Sequence, residues 1–330
     1  MAPAVNGGFA TVHATDAAAG EAALQRLRRR RPGGAHRPAV LTLLVQVSSD
    51  DLAPTLDTLR GLTDRSPCRT VVVATPSRRD QMIVGVRAVA RASGARAGYV
   101  DEIVLHLRDG PAPKLAGSVT PWLLPGLPVV GWMPHGLPHP DAPLVTLADR
   151  LLVDTERLVA RPGATSLTDV VALGRHIVVT DLAWVRLEPW RELFAHLFVG
   201  SELAPFVRGV EHVEAEDRGD ALPARLLAGW VASRLGLDLT AVHVTTGERR
   251  MLRAAARDGT RTASFRVEHA TRDDVVLAEA TVDGGPGRRR TLQLAPSSPS
   301  SDLDRALAAG PRRDDVWEAA LAAVCAHRPP

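Results

Sequence analysis

Val40-Leu41-Thr42-Leu43-Leu44-Val45-Gln46-Val47 is the stretch on which the fold reading rests. It is apolar on both alternations and rich in β-branched residues, and Ser48-Ser49-Asp50 follows it at once. A strand with one wet face alternates apolar and polar; a continuous run of this length reads as a strand covered on both sides. Asp51 to Arg60 then has helical character. The same unit recurs downstream. Val71-Val72-Val73-Ala74 is stopped by Pro76, Glu102 to Leu107 is a further strand, and Lys114 to Leu124 reads as helix. Pro128-Val129-Val130-Gly131-Trp132 closes at Pro134, and Leu151-Leu152-Val153-Asp154 follows. Short buried strands alternating with helices predict an α/β class with a mostly parallel, Rossmann-like sheet and helices on both faces, over residues 38–165.

Either side of this block the rhythm changes. Residues 1–37 are rich in Ala, Gly and Arg, with only Leu24 and Leu27 as apolar anchors, and read as a mobile arm. Residues 166–330 read as an α+β domain. Trp184, Leu187, Trp190, Leu193, Phe194, Leu197 and Phe198 repeat at three and four, the spacing of an amphipathic helix. Leu222 to Leu235 gives a second helix, with Asp220 as candidate N-cap and Gly236 as stop. Closely spaced strands follow between Ala241 and Leu294, with Asp283-Gly284-Gly285-Pro286-Gly287 as a hairpin turn, and predict an antiparallel sheet. Two helices end the chain.

Composition removes several classes of function. The chain has 330 residues and a net charge of only +3. Its basic residues are arginines with the single exception of Lys114, a codon-bias pattern more than a nucleic-acid footprint, and no reading element accompanies it. Pro121 to Met133 is too short and too proline-broken to span a membrane. Cys68 and Cys325 are far apart and fit reduced thiols in a cytoplasmic protein.

No catalytic motif stands out, so the expectation is a non-enzyme without cofactor or metal. The chain has no phosphate loop and no nucleophile elbow, and no GxGxxG leads from a strand into a helix. His135, His139 and Asp141 have a spacing that could supply metal ligands, but a closed zinc site usually needs four. Cys68 precedes Arg69, which could lower its pKa and make it a redox-sensing thiol; the alternative is a small packed residue at a strand entrance. The densest segment is Thr180 to Leu193, which holds Asp181, Trp184, Arg186, Trp190 and Arg191. Trp and Arg are enriched at binding hot spots, while Trp is equally at home in a core.

Several of these segments resemble the OpcA family, the assembly proteins of glucose-6-phosphate dehydrogenase. They are Pro67-Cys68-Arg69 with Val71-Val72-Val73, Leu123 to Trp132, Ala148-Asp149-Arg150 to Thr155, Asp181-Leu182-Ala183-Trp184 to Leu193, and Leu226-Leu227-Ala228-Gly229-Trp230 to Leu235. Their order and spacing agree over residues 38–240. Ser66 stands where the family pattern has His, and Gly131 where it has the first of two Trp. The resemblance implies a partner, glucose-6-phosphate dehydrogenase, and a non-catalytic role in favouring its active oligomer. The interface residues expected on that basis are Trp132, His135, Asp181, Trp184, Arg186, Trp190 and Arg191. The competing expectation is a small-molecule enzyme or sensor using the carboxyl-end rim of the sheet, around Ser48, Ser49, Asp50, Thr75, Ser77, Trp132 and His135.

Overall fold

The computed structural model describes the chain except residues 1–3, 7–8, 30–37, 64, 79, 91–95, 109–111, 161–165, 220, 271–274, 295–296, 311 and 327–330. The expected N-cap Asp220 lies outside the described residues. In chain order the elements are β1 (Ala4–Asn6), β2 (Phe9–Ala14), α1 (Ala17–Arg29), β3 (Leu41–Val47), α2 (Leu52–Arg60), β4 (Cys68–Ala74), β5 (Gln81–Ala90), β6 (Arg96–His106) and α3 (Ala112–Val119). There follow β7 (Val129–Trp132), α4 (Pro143–Leu147), β8 (Arg150–Val153), α5 (Thr155–Val159), α6 (Leu167–Leu173), β9 (Val178–Asp181), α7 (Leu182–Arg186) and α8 (Glu188–His196). The last are β10 (Val210–Asp217), α9 (Leu222–Leu235), β11 (Val242–Thr246), β12 (Met251–Asp258), β13 (Arg261–His269), β14 (Val275–Val282), β15 (Arg288–Gln293), α10 (Pro299–Ala308) and α11 (Asp315–Ala326).

The chain forms two compact units, each assembled from three segments. The first is Met1–Asp154, Leu173–Leu182 and Ser298–Arg313; the second is Thr155–Ala172, Ala183–Ser297 and Asp314–Pro330. A single cut at residue 166 is therefore coarser than the division the chain makes. α10, expected with the C-terminal domain, belongs to the first unit.

The first unit holds a nine-stranded sheet of order β1-β2-β5-β6-β4-β3-β7-β8-β9. From β6 to β9 every pairing is parallel, and from β1 to β6 every pairing is antiparallel. β4 is buried at every position and β3 at all but one, as a strand covered on both faces requires. β4 does not cross to its parallel neighbour β6 through a helix. The chain runs out along β5 and returns antiparallel to it along β6; β5 is absent from the sequence reading because Gln81–Ala90 lacks a continuous apolar run.

The N-terminal stretch expected as a mobile arm is, where described, part of this unit. β2 pairs with β5, and α1 buries Leu24 and Leu27 completely or nearly so. Two leucines suffice because charge assists them. Arg28 of α1 donates through Nε (3.0 Å) and Nη2 to the buried carboxylate of Asp101. Arg69 donates to the same carboxylate (2.9 Å), and also to Glu21 of α1 (3.3 Å). A buried carboxylate shared by two guanidinium groups keeps every charge paired, which makes its burial tolerable. α10 sits against α2, with Ser300 Oγ donating to Thr58 O (2.8 Å) and Asp304 accepting from Thr63 N (3.0 Å). No described helix is long and apolar enough to cross a membrane.

The second unit holds a six-stranded sheet of order β11-β10-β12-β13-β14-β15. It is antiparallel except for the β10–β11 pair, so the expected purely antiparallel sheet is mixed. Val213, Leu252, Phe265, Val267 and Ala278 point inward, and Glu214, Arg253, Arg266 and Glu279 point out, the alternation of a sheet with one wet face. α8 and α9 cover the inner face. α9 is apolar nearly all round, as befits a helix buried between sheet and α11. Gly229 makes that contact possible: a Cβ there would stand 2.7 Å from Ala320 O.

Candidate functional site

The parallel order brings the carboxyl ends of β4, β3 and β7 side by side. From β3 the chain proceeds outward through β4 to β6, then returns to β7 on the other side of β3, and such a reversal is where open α/β sheets bind ligands. Ser48, Ser49, Thr75 and His135, expected at one rim, do gather there. Thr75 N donates to Val47 O (3.0 Å), and Ser49 Oγ to Pro76 O. Ser77 is tied instead to the β6 side, through its N–H to Leu107 O (2.9 Å). At the reversal itself stands Asp51, which accepts from Ser48 Oγ (2.8 Å) and lies 3.7 Å from His135 Nε2. The rim is thus carboxylate-lined at the start of α2, where a bound phosphate would need bare backbone N–H groups. Trp132 turns away into the core, 3% exposed.

The tryptophan segment is an interior clamp in the second unit. Trp184 Nε1 donates to Asp314 Oδ2 (2.8 Å), and Asp314 Oδ1 accepts from Trp317 N (3.0 Å) at the start of α11. The Arg191 guanidinium lies 3.5 Å from the centre of the Trp184 ring and donates to Trp184 O (2.7 Å). Burial lowers the Arg191 pKa to about 10, opposed by Asp314, Glu188 and Glu192, so it stays charged at neutral pH. Trp190 stacks on His269 with ring centres 4.8 Å apart. Trp184 and Trp190 are 4% and 2% exposed. These positions put the indoles of Trp132, Trp184 and Trp190 inside, against the expectation that they form an outward contact surface, while Arg191 stays partly exposed. An indole is most stable where its ring is covered and its N–H has a partner, and Trp184 meets both conditions from inside, whereas the Trp132 N–H is buried without a hydrogen-bond partner. Asp181 is buried at the end of β9 as well. Of the expected set, His135, Arg186 and Arg191 are partly exposed, and Arg186 pairs with Glu156 (2.7 Å).

Cys68 is buried, and burial pushes its thiol pKa up, which corrects its reading as a redox sensor. Successive strand residues face opposite sides, so Arg69 lies on the other face with Asp101 and does not activate the thiol. His139 and Asp141 are exposed and 3.5 Å apart. No described group of three His, Cys, Asp or Glu side chains is placed to hold a metal ion.

What the sequence did not reveal is how many recognisable segments carry structural charge. Asp149 accepts from Val129 N (2.7 Å). Arg150, 2% exposed, reaches from β8 to the last carbonyls of α10, donating to Ala306 O (3.0 Å), Gly310 O (2.6 Å) and Leu307 O (3.4 Å). A buried cation at a helix C-terminus completes carbonyls that the helix leaves unpaired. The available signal was charge inside apolar runs, as at Arg69, Arg87, Asp101, Glu102 and Arg150.

Taken together these features define a two-unit α/β protein whose signature segments build its interior. Residues 60–170 match the family described as glucose-6-phosphate dehydrogenase subunit N-terminal domain, and residues 177–321 match its C-terminal domain. The chain belongs to the OpcA family. It is 26% identical over 219 residues to a Synechocystis protein named "Putative OxPP cycle protein OpcA", covering 61% of this chain and 44% of that one. Proteins of the same name from Nostoc punctiforme and Synechococcus elongatus are 23% and 25% identical, covering 58% and 72% of this chain and 45% and 54% of theirs. The chain thus spans about half the length of these relatives.

Proposed function

We propose that this chain is a non-catalytic, cytoplasmic accessory subunit that binds glucose-6-phosphate dehydrogenase and favours its active oligomer. The observation that carries the reading is the pair of family matches, both described as parts of a dehydrogenase subunit, which between them span most of residues 60–321. The order β6-β4-β3-β7-β8-β9 supports a Rossmann-like reading of the first unit. The carboxylate of Asp51 at the reversal point speaks against that unit using its fold to hold a dinucleotide, since a pyrophosphate and a carboxylate repel at a helix start. The physics needed is linkage. A partner that prefers the active form of an enzyme shifts its population by the difference in affinity, typically about 5–150-fold. His135, Arg186 and Arg191 are the partly exposed members of the expected contact set, which leaves them as the candidates within it for touching a partner.

The test is to mix the chain with the dehydrogenase of the same cells and measure both association and rate at saturating chain. A complex with raised activity is expected. Absence of both a complex and a change in rate would overturn the proposal.

A further inference from the structure

We infer that β15, the open edge of the second unit's six-stranded sheet, takes up an acidic, extended segment of a partner protein as a further strand. β14 is the strand that β15 pairs with, and every residue of β15 from Arg288 to Gln293 is exposed. Its other side presents backbone N–H and C=O groups that no described strand pairs, a ready template for another chain. Natural edges are often blunted by a proline, a bulge or a covering element. β15 contains no proline, runs in unbroken register along β14 and is uncovered. Its one guard is charge, in three consecutive arginines.

Register sorts these side chains by face, because residues directly opposite across a sheet point the same way. Arg288, Arg290 and Leu292 stand opposite Ala280, Ala278 and Val276, on the side that α8 covers. Those three β14 residues are buried and β15 is not, so the cover ends at β14. Arg289, Thr291 and Gln293 share the wet face with Glu279, Leu277 and Val275. Arg288 pairs with Glu202, and Arg289 Nε donates to Glu279 Oε1 (2.7 Å). Both pairs are exposed and hold weakly in water. Arg290 meets no described carboxylate, so the edge keeps a surplus positive charge.

These features select the occupant. Main-chain pairing along an open edge holds an extended peptide, and the alternating side chains decide which one. Followed antiparallel from Gln293 to Arg288, the edge matches an apolar residue beside Leu292 and then acidic residues beside the arginines. A basic segment is repelled. A second copy of this chain would bring three more arginines to the same seam, which like charges oppose. An acidic helix could meet the arginines but would leave the backbone groups of the edge unpaired.

A fluorescein-labelled peptide of sequence Thr-Val-Thr-Glu-Glu-Glu has the matching pattern. Titrated with the full chain at low salt, it is expected to give a saturable rise in anisotropy. Methylating the backbone nitrogens of alternate residues separates strand pairing from charge, since in an antiparallel pair only every other N–H faces a given neighbour. One alternate set is expected to weaken binding about tenfold or more, and the other to change it little. Arg290→Glu is expected to weaken binding about fivefold or more, with Arg290→Lys close to native. Arg290 is exposed, so neither variant puts folding at risk. No saturable rise up to about 1 mM peptide, the same effect from both methylated sets, or equal binding by Arg290→Glu would each overturn the proposal. So would a dimer of the chain that Arg290→Glu dissolves, since the edge would then belong to a second copy. None of these measurements involves the dehydrogenase, so the edge can fail without touching the accessory-subunit reading.

Discussion

At the scale of single residues, buried charge decides most of what can be tested. Asp101 and Glu21 together balance Arg28 and Arg69, so Asp101→Ala leaves two guanidinium groups with the half-exposed Glu21 as their remaining carboxylate. The expected cost is roughly 3–5 kcal/mol, with hydrogen exchange rising first in α1. Arg150→Met strips the end of α10 of its cation and is expected to cost roughly 2–4 kcal/mol by denaturant unfolding, with Arg150→Lys intermediate. Glu102 differs in kind. Its buried carboxylate is 3.4 Å from Arg87 Nε, and burial pushes its pKa up against the pull of Arg87 and Arg60. A carboxyl whose folded pKa exceeds its unfolded value makes the folded state the better proton binder. Stability therefore falls as pH rises from the ordinary glutamate range through the raised value. Glu102→Leu alone strands Arg87 and is expected to cost roughly 3–5 kcal/mol, whereas Arg87→Met with Glu102→Leu is expected to be at least as stable as the native chain and to lose that pH dependence. Cys68 should resist alkylation in the folded chain while Cys325 reacts, since only the latter is partly exposed; rapid labelling of Cys68 would contradict its burial.

At the scale of elements, the tryptophan segment shows where periodicity misleads. The spacing from Trp184 to Phe198 reads as one amphipathic helix, yet the chain makes two, α7 and α8, which part at Leu187. Each indole then has its own direction, and both turn inward. Gly131 and Gly229 mark close approaches. At Gly131 a Cβ would stand 3.1 Å from Leu151 and 3.3 Å from Ala148 and Leu144, so the tryptophan of the family pattern has no room in this chain. Gly229→Leu should force α9 from α11 at a cost of roughly 2–4 kcal/mol, and Gly229→Ala somewhat less, as thermal unfolding would show.

At the scale of the whole molecule, the accessory-subunit reading no longer depends on outward tryptophans. It rests on membership of the family. The apolar strands from Val40 to Asp154 were legible because burial on both faces leaves a continuous run of strand length, bounded by turn residues and too short for a buried helix. The family was legible because ordered segments such as Ala148-Asp149-Arg150 and Trp184 to Trp190 are specific as words, whatever their role. Direction was not legible. Trp and Arg favour cores and interfaces alike, and only neighbours distant in sequence, such as Asp314 for Trp184 and the α10 carbonyls for Arg150, settle which applies. Nor could local pattern place α1 and β2. Their anchors, Asp101, Arg69 and β5, are supplied by the folded sheet, and the binding of a weakly apolar segment to such a surface is a property of the tertiary structure alone.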